Sequence, residues 1–147
     1  MSPESAHATA VNKPNLVWSS DFAVGVTQMD EQHIALFALF NRVCAGIEEN
    51  RPPEELEPIL SEFFNHTRLH FASEEALLRA AEYPSLDGHL EHHRDLDILL
   101  KEYMRRFQQG ELGDFGNLLS FLRQWLVRHI KNEDTEYGAW LNSRGIR

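Results

Sequence analysis

Apolar residues recur at spacings of three and four along four stretches of the chain, which is the pattern of amphipathic helices. The stretches run from about 27 to 49, from 53 to 82, from 85 to 108, and from about Leu118 to near Gly145. Short segments that contain proline or glycine separate them. Because short turns place consecutive helices side by side in opposite directions, we predict an all-α, antiparallel up-down-up-down four-helix bundle.

A different pattern precedes the first helix. In residues 16 to 26, serine and glycine interrupt the apolar side chains of Trp18, Phe22 and Val24, which favours an extended N-terminal arm over a helix. Residues 1–15 show no periodicity, so we expect a flexible N-terminal tail there. Residues 16–147 then form one domain, in which QQGELGDFG is the third interhelical turn.

Composition and charge exclude several classes of protein. The formal charge of -9 weighs against nucleic acid and anionic lipid as partners, because nonspecific binding to phosphates depends on Lys and Arg. No apolar run approaches the roughly 18 residues that span a bilayer, so we expect no membrane insertion. The opening MSPESAHATA lacks the basic region and apolar core of a secretory signal, which predicts a cytoplasmic location. The single cysteine, Cys44, excludes a disulfide framework and a CxxC metal knuckle.

Histidine is the unusual component of this composition. The chain carries eight histidines in 147 residues, and three of them belong to two pairs of potential metal ligands at helical spacing. His70 lies four residues before Glu74, and His89 lies four residues before His93. Since residues four apart share one helix face, each pair points in a single direction.

The first and last helices add further candidate ligands. His33 lies beside the apolar stripe of the first helix. His129 is followed by Glu133 at four residues and by Asp134 at five, and the spacing alone favours Glu133. A lone helical histidine is more often a surface residue or a hydrogen-bonded one, so His33 by itself is weak evidence of metal binding.

Taken together, these residues predict a metal centre. Burying several imidazoles and carboxylates in one small core without partners costs a few kcal/mol for each group, and the total is comparable with the stability of a whole domain. Imidazole suits Fe, Zn, Cu or Ni, and the absence of thiolates argues against a structural zinc site. More than four ligands indicates two ions, although the set is richer in nitrogen than a typical di-iron carboxylate bundle.

Several motifs of this chain occur together in one known family. The elements, in order, are Trp18 ahead of VGV, MDEQH, HFASEE, Tyr83–Pro84, His89 with His93, and WLVRHIKNED followed by Tyr137. Over about residues 16 to 141 the sequence thereby resembles the hemerythrin family, and especially its single-domain bacterial members, the bacteriohemerythrins. The resemblance implies a non-haem di-iron site that binds O2 reversibly.

The resemblance also implies a role for each ligand. His89, His93 and His129 would fill one iron, and His33 and His70 would hold the other and leave one coordination position open. Glu74 and Asp134 would bridge the two ions together with a hydroxo or oxo group. This pattern selects Asp134 over Glu133. A spacing of five residues separates His129 and Asp134 by about 140° around an ideal helix. We therefore expect either a local distortion of the helix or an Asp134 side chain that reaches across the interface between helices.

The family's O2 pocket corresponds to apolar positions in this chain: Leu36, Phe71, Trp125, Leu126 and Ile130. Ordinary core packing would explain the same residue types. Three further residues lie near the expected ligands. We expect His66 to be either a hydrogen-bond partner of the site or a polar residue without a role, and Glu75 to lie either beside the site or at the surface. Asp30 would either orient His33 or cap the first helix.

These residues favour an O2-binding metalloprotein for storage, delivery or sensing over an enzyme. The alternative is a di-iron oxidoreductase that acts on peroxide, nitric oxide or O2. Such an enzyme usually positions a proton donor near the open metal site, whereas the expected pocket offers only hydrocarbon and an indole. A redox or O2-consuming protein partner fits either function.

Overall fold

Four helical rods make up the computed structural model, which describes residues 16–111 and 115–147. The helices are α1 (Thr27–Glu48), α2 (Pro53–Ala80), α3 (Leu86–Gln108), α4 (Phe115–Arg128) and α5 (Thr135–Ser143), and a π-helical turn (His129–Asp134) joins the last two into one rod. The predicted all-α four-helix bundle is confirmed. The predicted tail, residues 1–15, and positions 112–114 of the third turn lie outside the described residues. Within the described ranges, no helix combines the length and the apolar character that crossing a membrane requires.

The helix ends follow local backbone chemistry. Gly145, predicted from the sequence as the residue after the last helix, has a positive φ of 83°, and the amide of Ile146 donates to the carbonyl of Leu141 across it. That combination closes a helix because glycine enters the left-handed region without steric cost. Asn50 and Glu82 hold the same backbone region after α1 and α2, with φ values of 56° and 59°. Each rod therefore stops at the predicted turn.

The buried apolar residues form two clusters, and the polar site residues lie between them. On three helical segments a candidate ligand separates a member of the larger cluster from a member of the smaller one. These sets are Leu36, His33 and Met29 on α1; Phe71, Glu74 and Leu78 on α2; and Ile130, Asp134 and Tyr137 on the fourth rod. The bundle thus encloses a polar layer between two apolar ones, which removes that layer from water.

The segment before α1 is extended apart from one short 3₁₀ turn, Ser20–Phe22, so the predicted arm is confirmed. Asn41 fixes its start, because the amide of Leu16 donates to Asn41 Oδ1 at 2.8 Å. Asp30 fixes its end by accepting from the amides of Val24 at 2.8 Å and Gly25 at 3.3 Å. Asp30 therefore ties the arm to α1, and among its described bonds none reaches His33.

Gly138 lets the arm approach α5, and its replacement should destabilise the protein strongly. A Cβ atom at this position would lie 2.1 Å from the carbonyl oxygen of Val24, a backbone atom that cannot turn away. We expect Gly138→Ala to lower the free energy of unfolding by about 2 to 4 kcal/mol, measured by urea denaturation. The control is Gly88→Ala on α3, where an added Cβ meets nothing within 4 Å. Equal stability of Gly138→Ala and the unsubstituted chain would contradict this packing.

Candidate metal centre

All seven predicted ligands point into the polar layer of the bundle. They are His33 from α1, His70 and Glu74 from α2, His89 and His93 from α3, and His129 and Asp134 from the π-helical turn. None has more than 5% of its surface exposed. Each rod therefore contributes at least one ligand to a single buried cluster.

Glu74 lies at the centre of this cluster. Its Oε1 atom is 2.8 Å from Nε2 of His89 and 3.0 Å from Nε2 of His93. Its Oε2 atom is 3.3 Å from Nε2 of His70 and 3.7 Å from Nε2 of His33. One carboxylate thus contacts imidazoles from three rods, with a different oxygen facing each side of the site.

Asp134 spans the same two sides. Its Oδ1 atom lies 3.2 Å from Nε2 of His89 and 3.2 Å from Nε2 of His129, and its Oδ2 atom lies 3.2 Å from Nε2 of His33. Both oxygens are buried without a hydrogen-bond partner that meets geometric criteria among the described residues. Glu74 and Asp134 are therefore both placed to be shared by two ions.

The π-helical turn explains how Asp134 reaches the site. In a π-helix the backbone hydrogen bond joins residues five apart, so residue i+5 comes closer to the face of residue i than it does in an α-helix. The distortion predicted at this point of the fourth helix is confirmed. Glu133, which spacing alone favoured, lies on the outer side of the same imidazole, with its Oε1 3.3 Å from Nδ1 of His129 and 2.6 Å from Nδ1 of His92.

Acceptors hold the outer nitrogens of two further imidazoles, those of His93 and His70, in the same way. Nδ1 of His93 donates to Glu75 Oε2 at 2.8 Å, and Nδ1 of His70 donates to Gln32 Oε1 at 2.5 Å. A ring that carries its proton on Nδ1 presents the Nε2 lone pair inward, which is the orientation a metal ligand needs. Glu75 thus lies beside the site, while no described hydrogen bond joins His66 to a candidate ligand. Sequence reasoning missed Gln32, because its contact depends on how α1 packs against α2.

Tyr137 was also missed as a member of the site, although its position is part of the motif that carries the family resemblance. Its hydroxyl donates to Glu74 Oε2 at 2.5 Å and is fully buried. Burial and the neighbouring charges of Glu74 and Asp134 raise the pKa of Tyr137 well above its ordinary value. The hydroxyl therefore keeps its proton and fixes the orientation of the Glu74 carboxylate.

Both buried carboxylates remain ionised. Burial opposes the charge of Glu74, but hydrogen bonds from the surrounding imidazoles hold its pKa well below the ordinary value. Burial and the charge of Glu74 oppose ionisation of Asp134, but the positive charge of His129 and the close contacts of His129 and His33 lower its pKa nonetheless. The ion pairs described for these two carboxylates involve histidines alone, so the positive charge in the metal-free protein comes from imidazole protons.

The histidine pKa values show which rings carry these protons. Burial lowers each value, but hydrogen bonds and attraction to Asp134 and Glu74 raise the pKa of His33 to about 9, of His89 to about 10 and of His129 to about 9. For His70, burial outweighs the hydrogen bond to Glu74 and the pKa is lowered, so that ring is neutral. In the metal-free protein, the protons on His33, His89 and His129 therefore supply positive charge that bound cations would supply instead.

The metal-free protein should therefore lose stability in alkaline solution. Histidines with raised pKa values stabilise the folded state fully below their unfolded pKa of about 6.5, and this stabilisation disappears as the pH rises through about 9 to 10. We expect the free energy of unfolding to fall by at least about 2 kcal/mol between pH 6 and pH 10, measured by urea denaturation. The metal-loaded protein is the control and should change less. A metal-free protein that is equally stable at both pH values would contradict this charge assignment.

The donor set fits two cations. Two groups of four residues bring one ligand atom each to within 4.8 Å of one another, and they share Glu74: His89, His93 and His129 complete one group, and His33, His70 and Asp134 complete the other. Nε2 of His129, Nε2 of His93 and both oxygens of Asp134 are buried, and no residue in the described part of the chain forms a hydrogen bond of regular geometry with them. Nε2 of His33 lies only 3.0 Å from Nε2 of His70. Burying such closely spaced polar atoms without partners costs free energy, and a cation bound among them would remove that cost.

Apolar and aromatic side chains cover this cluster. Leu36, Phe71, Leu126 and Ile130 belong to the larger core cluster, and the half-buried Trp125 packs against it. The ring of Phe71 stacks on His93 with centroids 3.7 Å apart, and that of Trp125 stacks on His129 at 4.4 Å. Phe71 and Trp125 therefore contact candidate ligands, and the other three predicted pocket residues belong to the same apolar cluster.

Comparisons with known proteins agree with this geometry. The family model of the hemerythrin HHE cation binding domain matches residues 24–141 of this chain. A bacteriohemerythrin of Ralstonia nicotianae is 30% identical over 132 residues, which cover 90% of this chain and 93% of the relative. A hemerythrin-like protein of Naegleria gruberi is 32% identical over 88% of this chain and 96% of its own length. A crystal structure of wild-type hemerythrin superposes with a TM-score of 0.79 at 26% identity, covering 84% of this chain and 95% of that one.

Proposed function

This chain belongs to the hemerythrin family, and on that premise we propose that it holds two non-haem iron ions and binds O2 reversibly, for storage, delivery or sensing. His89, His93 and His129 would hold one iron, and His33 and His70 would hold the other. Glu74 and Asp134, whose oxygens face both groups of imidazoles, would supply the negative charge that the two ions share. When bound, the iron pair supplies the electrons for reversible O2 binding. The observation that carries the proposal is the sharing of Glu74 by two groups of four buried ligands.

The residues of the chain itself orient the ligands and exclude water. Glu75 and Gln32 fix two imidazoles from outside, and Tyr137 fixes the Glu74 carboxylate. Phe71 and Trp125 cover imidazole faces with aromatic rings. Water and protons promote irreversible oxidation, so a reversible O2 binder needs such a dry enclosure.

The same geometry favours binding over turnover. An oxidoreductase that acts on peroxide, nitric oxide or O2 needs a group that delivers protons near the open metal position. Tyr137 is the buried hydroxyl bonded to the site, but it already donates to Glu74 and its pKa is raised. We therefore propose an oxygen-binding metalloprotein and no enzyme.

The direct experiment follows O2 binding by visible absorption. The iron-loaded protein is reduced without air, exposed to O2 and then returned to an O2-free atmosphere over several cycles. The proposal expects an absorption band that appears with O2 and disappears with its removal each time. Bleaching after one cycle, with consumption of a reductant or of peroxide, would support the oxidoreductase instead.

Leu126 should slow the loss of the O2-bound form. Its side chain is 3% exposed and lies one helical turn before His129. We expect Leu126→Ala to keep its iron but to oxidise at least about threefold faster, because the smaller side chain admits water to a site that is otherwise dry. The measurement is the decay rate of the O2-dependent absorption band.

A second cavity variant separates this effect from a general loss of stability. Leu60→Ala also removes a buried leucine, 2% exposed, but on α2 ten residues before His70. Leu60→Ala should lose stability without faster oxidation. Equal oxidation rates in the two variants would contradict a specific role for Leu126.

Other predictions from the sequence remain predictions. They are the division into a tail at residues 1–15 and a domain at 16–147, the cytoplasmic location, and a redox or O2-consuming protein partner.

A further inference from the structure

A cleft of about 390 Å³ opens between α2 and α3 on the outer side of the metal-ligand cluster. The buried members of its lining are Phe71 and His93, whose rings are stacked. Glu75, which accepts from Nδ1 of His93, also lines the cleft. A molecule bound there would therefore lie against His93, a candidate metal ligand, and against the Phe71 ring and the Glu75 carboxylate that contact it.

Three arginines surround this cleft: Arg68, Arg79 and Arg94. Arg68 is paired with Asp97 at 2.9 Å, and Asp97 is shared with Lys101, so Arg68 already has a carboxylate partner. Within residues 16–111 and 115–147, no ion pair or hydrogen bond is described for the side chains of Arg79 and Arg94. Two arginines thus line the cleft without a described ion pair, in a chain whose formal charge is -9.

Glu75, the second acidic residue in the lining, has no described ion pair with Arg79 or Arg94. Glu75 already accepts from His93, and its carboxylate is only partly exposed, with a relative side-chain area of 28%. Between the charged groups the lining is apolar, with Phe71, Ala72 and Leu90. The cleft therefore combines two uncompensated cations with a small apolar surface.

We propose that this cleft binds a small organic anion, in which a carboxylate or phosphate group is attached to an apolar or planar body. Guanidinium groups bind both kinds of anion through paired N–H donors. The apolar part of the ligand would pack against Phe71 and Leu90. A volume of about 390 Å³ lies within the range of small-molecule sites.

The cleft suits a small anion better than a polyanion such as nucleic acid. Asp97 and Glu75 line it beside the arginines, and the net charge of the chain is -9, so an extended polyanion would be repelled outside the cleft. A small anion, by contrast, needs only the cations that line the cleft, and we expect it to contact Arg79 and Arg94. The proposed site does not depend on the O2-binding function.

Titration calorimetry of the metal-loaded protein at low ionic strength tests the proposal. The probes are phenyl phosphate and benzoate, which share a ring and differ in the anion, and phenol is the uncharged comparison. We expect saturable binding of at least one anion with a Kd at or below about 1 mM, weakening with added salt, and much weaker binding of phenol. The tighter of the two anions identifies the preferred group.

Substitutions locate the binding site. The double variant Arg79→Gln with Arg94→Gln should bind the anion at least about tenfold more weakly, because both guanidinium contacts are lost. Arg123→Gln is the matched control, since Arg123 is an exposed arginine on α4 outside the cleft, and its affinity should change less than about twofold. Absence of saturable binding of both anions at about 20 mM, or equal affinity in the double variant and the control, would overturn the proposal.

Discussion

Glu74→Gln should abolish most of the iron binding of this protein. The substitution keeps the shape of the side chain but removes the charge that both groups of ligands share. Each ion then loses an anionic ligand, and the remaining buried imidazoles have only Asp134 to balance two cations. We expect less than about a tenth of the iron content of the unsubstituted chain, measured by elemental analysis after reconstitution and desalting.

A carboxylate outside the site provides the control for this substitution. Glu62 lies on the same helix, is 55% exposed and pairs with Arg42 at 2.9 Å. Glu62→Gln should bind iron as the unsubstituted chain does, because exposed ion pairs contribute little. If Glu74→Gln also retained two irons per chain, Glu74 would not be a bridging ligand.

His89→Ala should lose metal nearly as completely. Nε2 of His89 lies 2.8 Å from Glu74 Oε1 and 3.2 Å from Asp134 Oδ1, so it belongs to the part of the site where both carboxylates meet. Alanine removes one of the three nitrogens proposed for that iron and leaves a gap that water can enter. We expect a fall in iron affinity of at least about a hundredfold, measured by competition with a chelator.

The neighbouring histidine on α3 separates this effect from a general disturbance of the helix. His92 is 51% exposed, and its Nδ1 contacts Glu133 outside the cluster. His92→Ala should therefore keep most of its iron. Full retention of iron by His89→Ala, or equal loss from both variants, would count against the ligand assignment.

Helical periodicity predicted the rods, because burial of one face imposes a spacing that is visible in the sequence. The same reasoning placed His70 with Glu74 and His89 with His93, since both pairs are local. It failed for Asp134, because an ideal helix directs a residue five positions after His129 away from the site. The π-helical turn changes that direction, and spacing rules assume a regular helix.

Contacts between distant parts of the chain were less predictable. Tyr137 and Glu74 are 63 residues apart, and their hydrogen bond exists because α2 and the fourth rod pack together. The bond from His70 to Gln32 likewise joins α1 and α2. His66 lies one turn before His70, so its spacing made it a candidate partner, yet the described partner of His70 Nδ1 is Gln32. Local spacing therefore predicted which candidate ligands lie together better than it predicted the groups that orient them.

The most direct measurement is anomalous diffraction at the iron edge from crystals of the iron-loaded protein. The account predicts two peaks inside the bundle, one among His33 and His70 and the other among His89, His93 and His129, with Glu74 and Asp134 touching both. A single peak, or a pair of peaks with either carboxylate turned away, would contradict it.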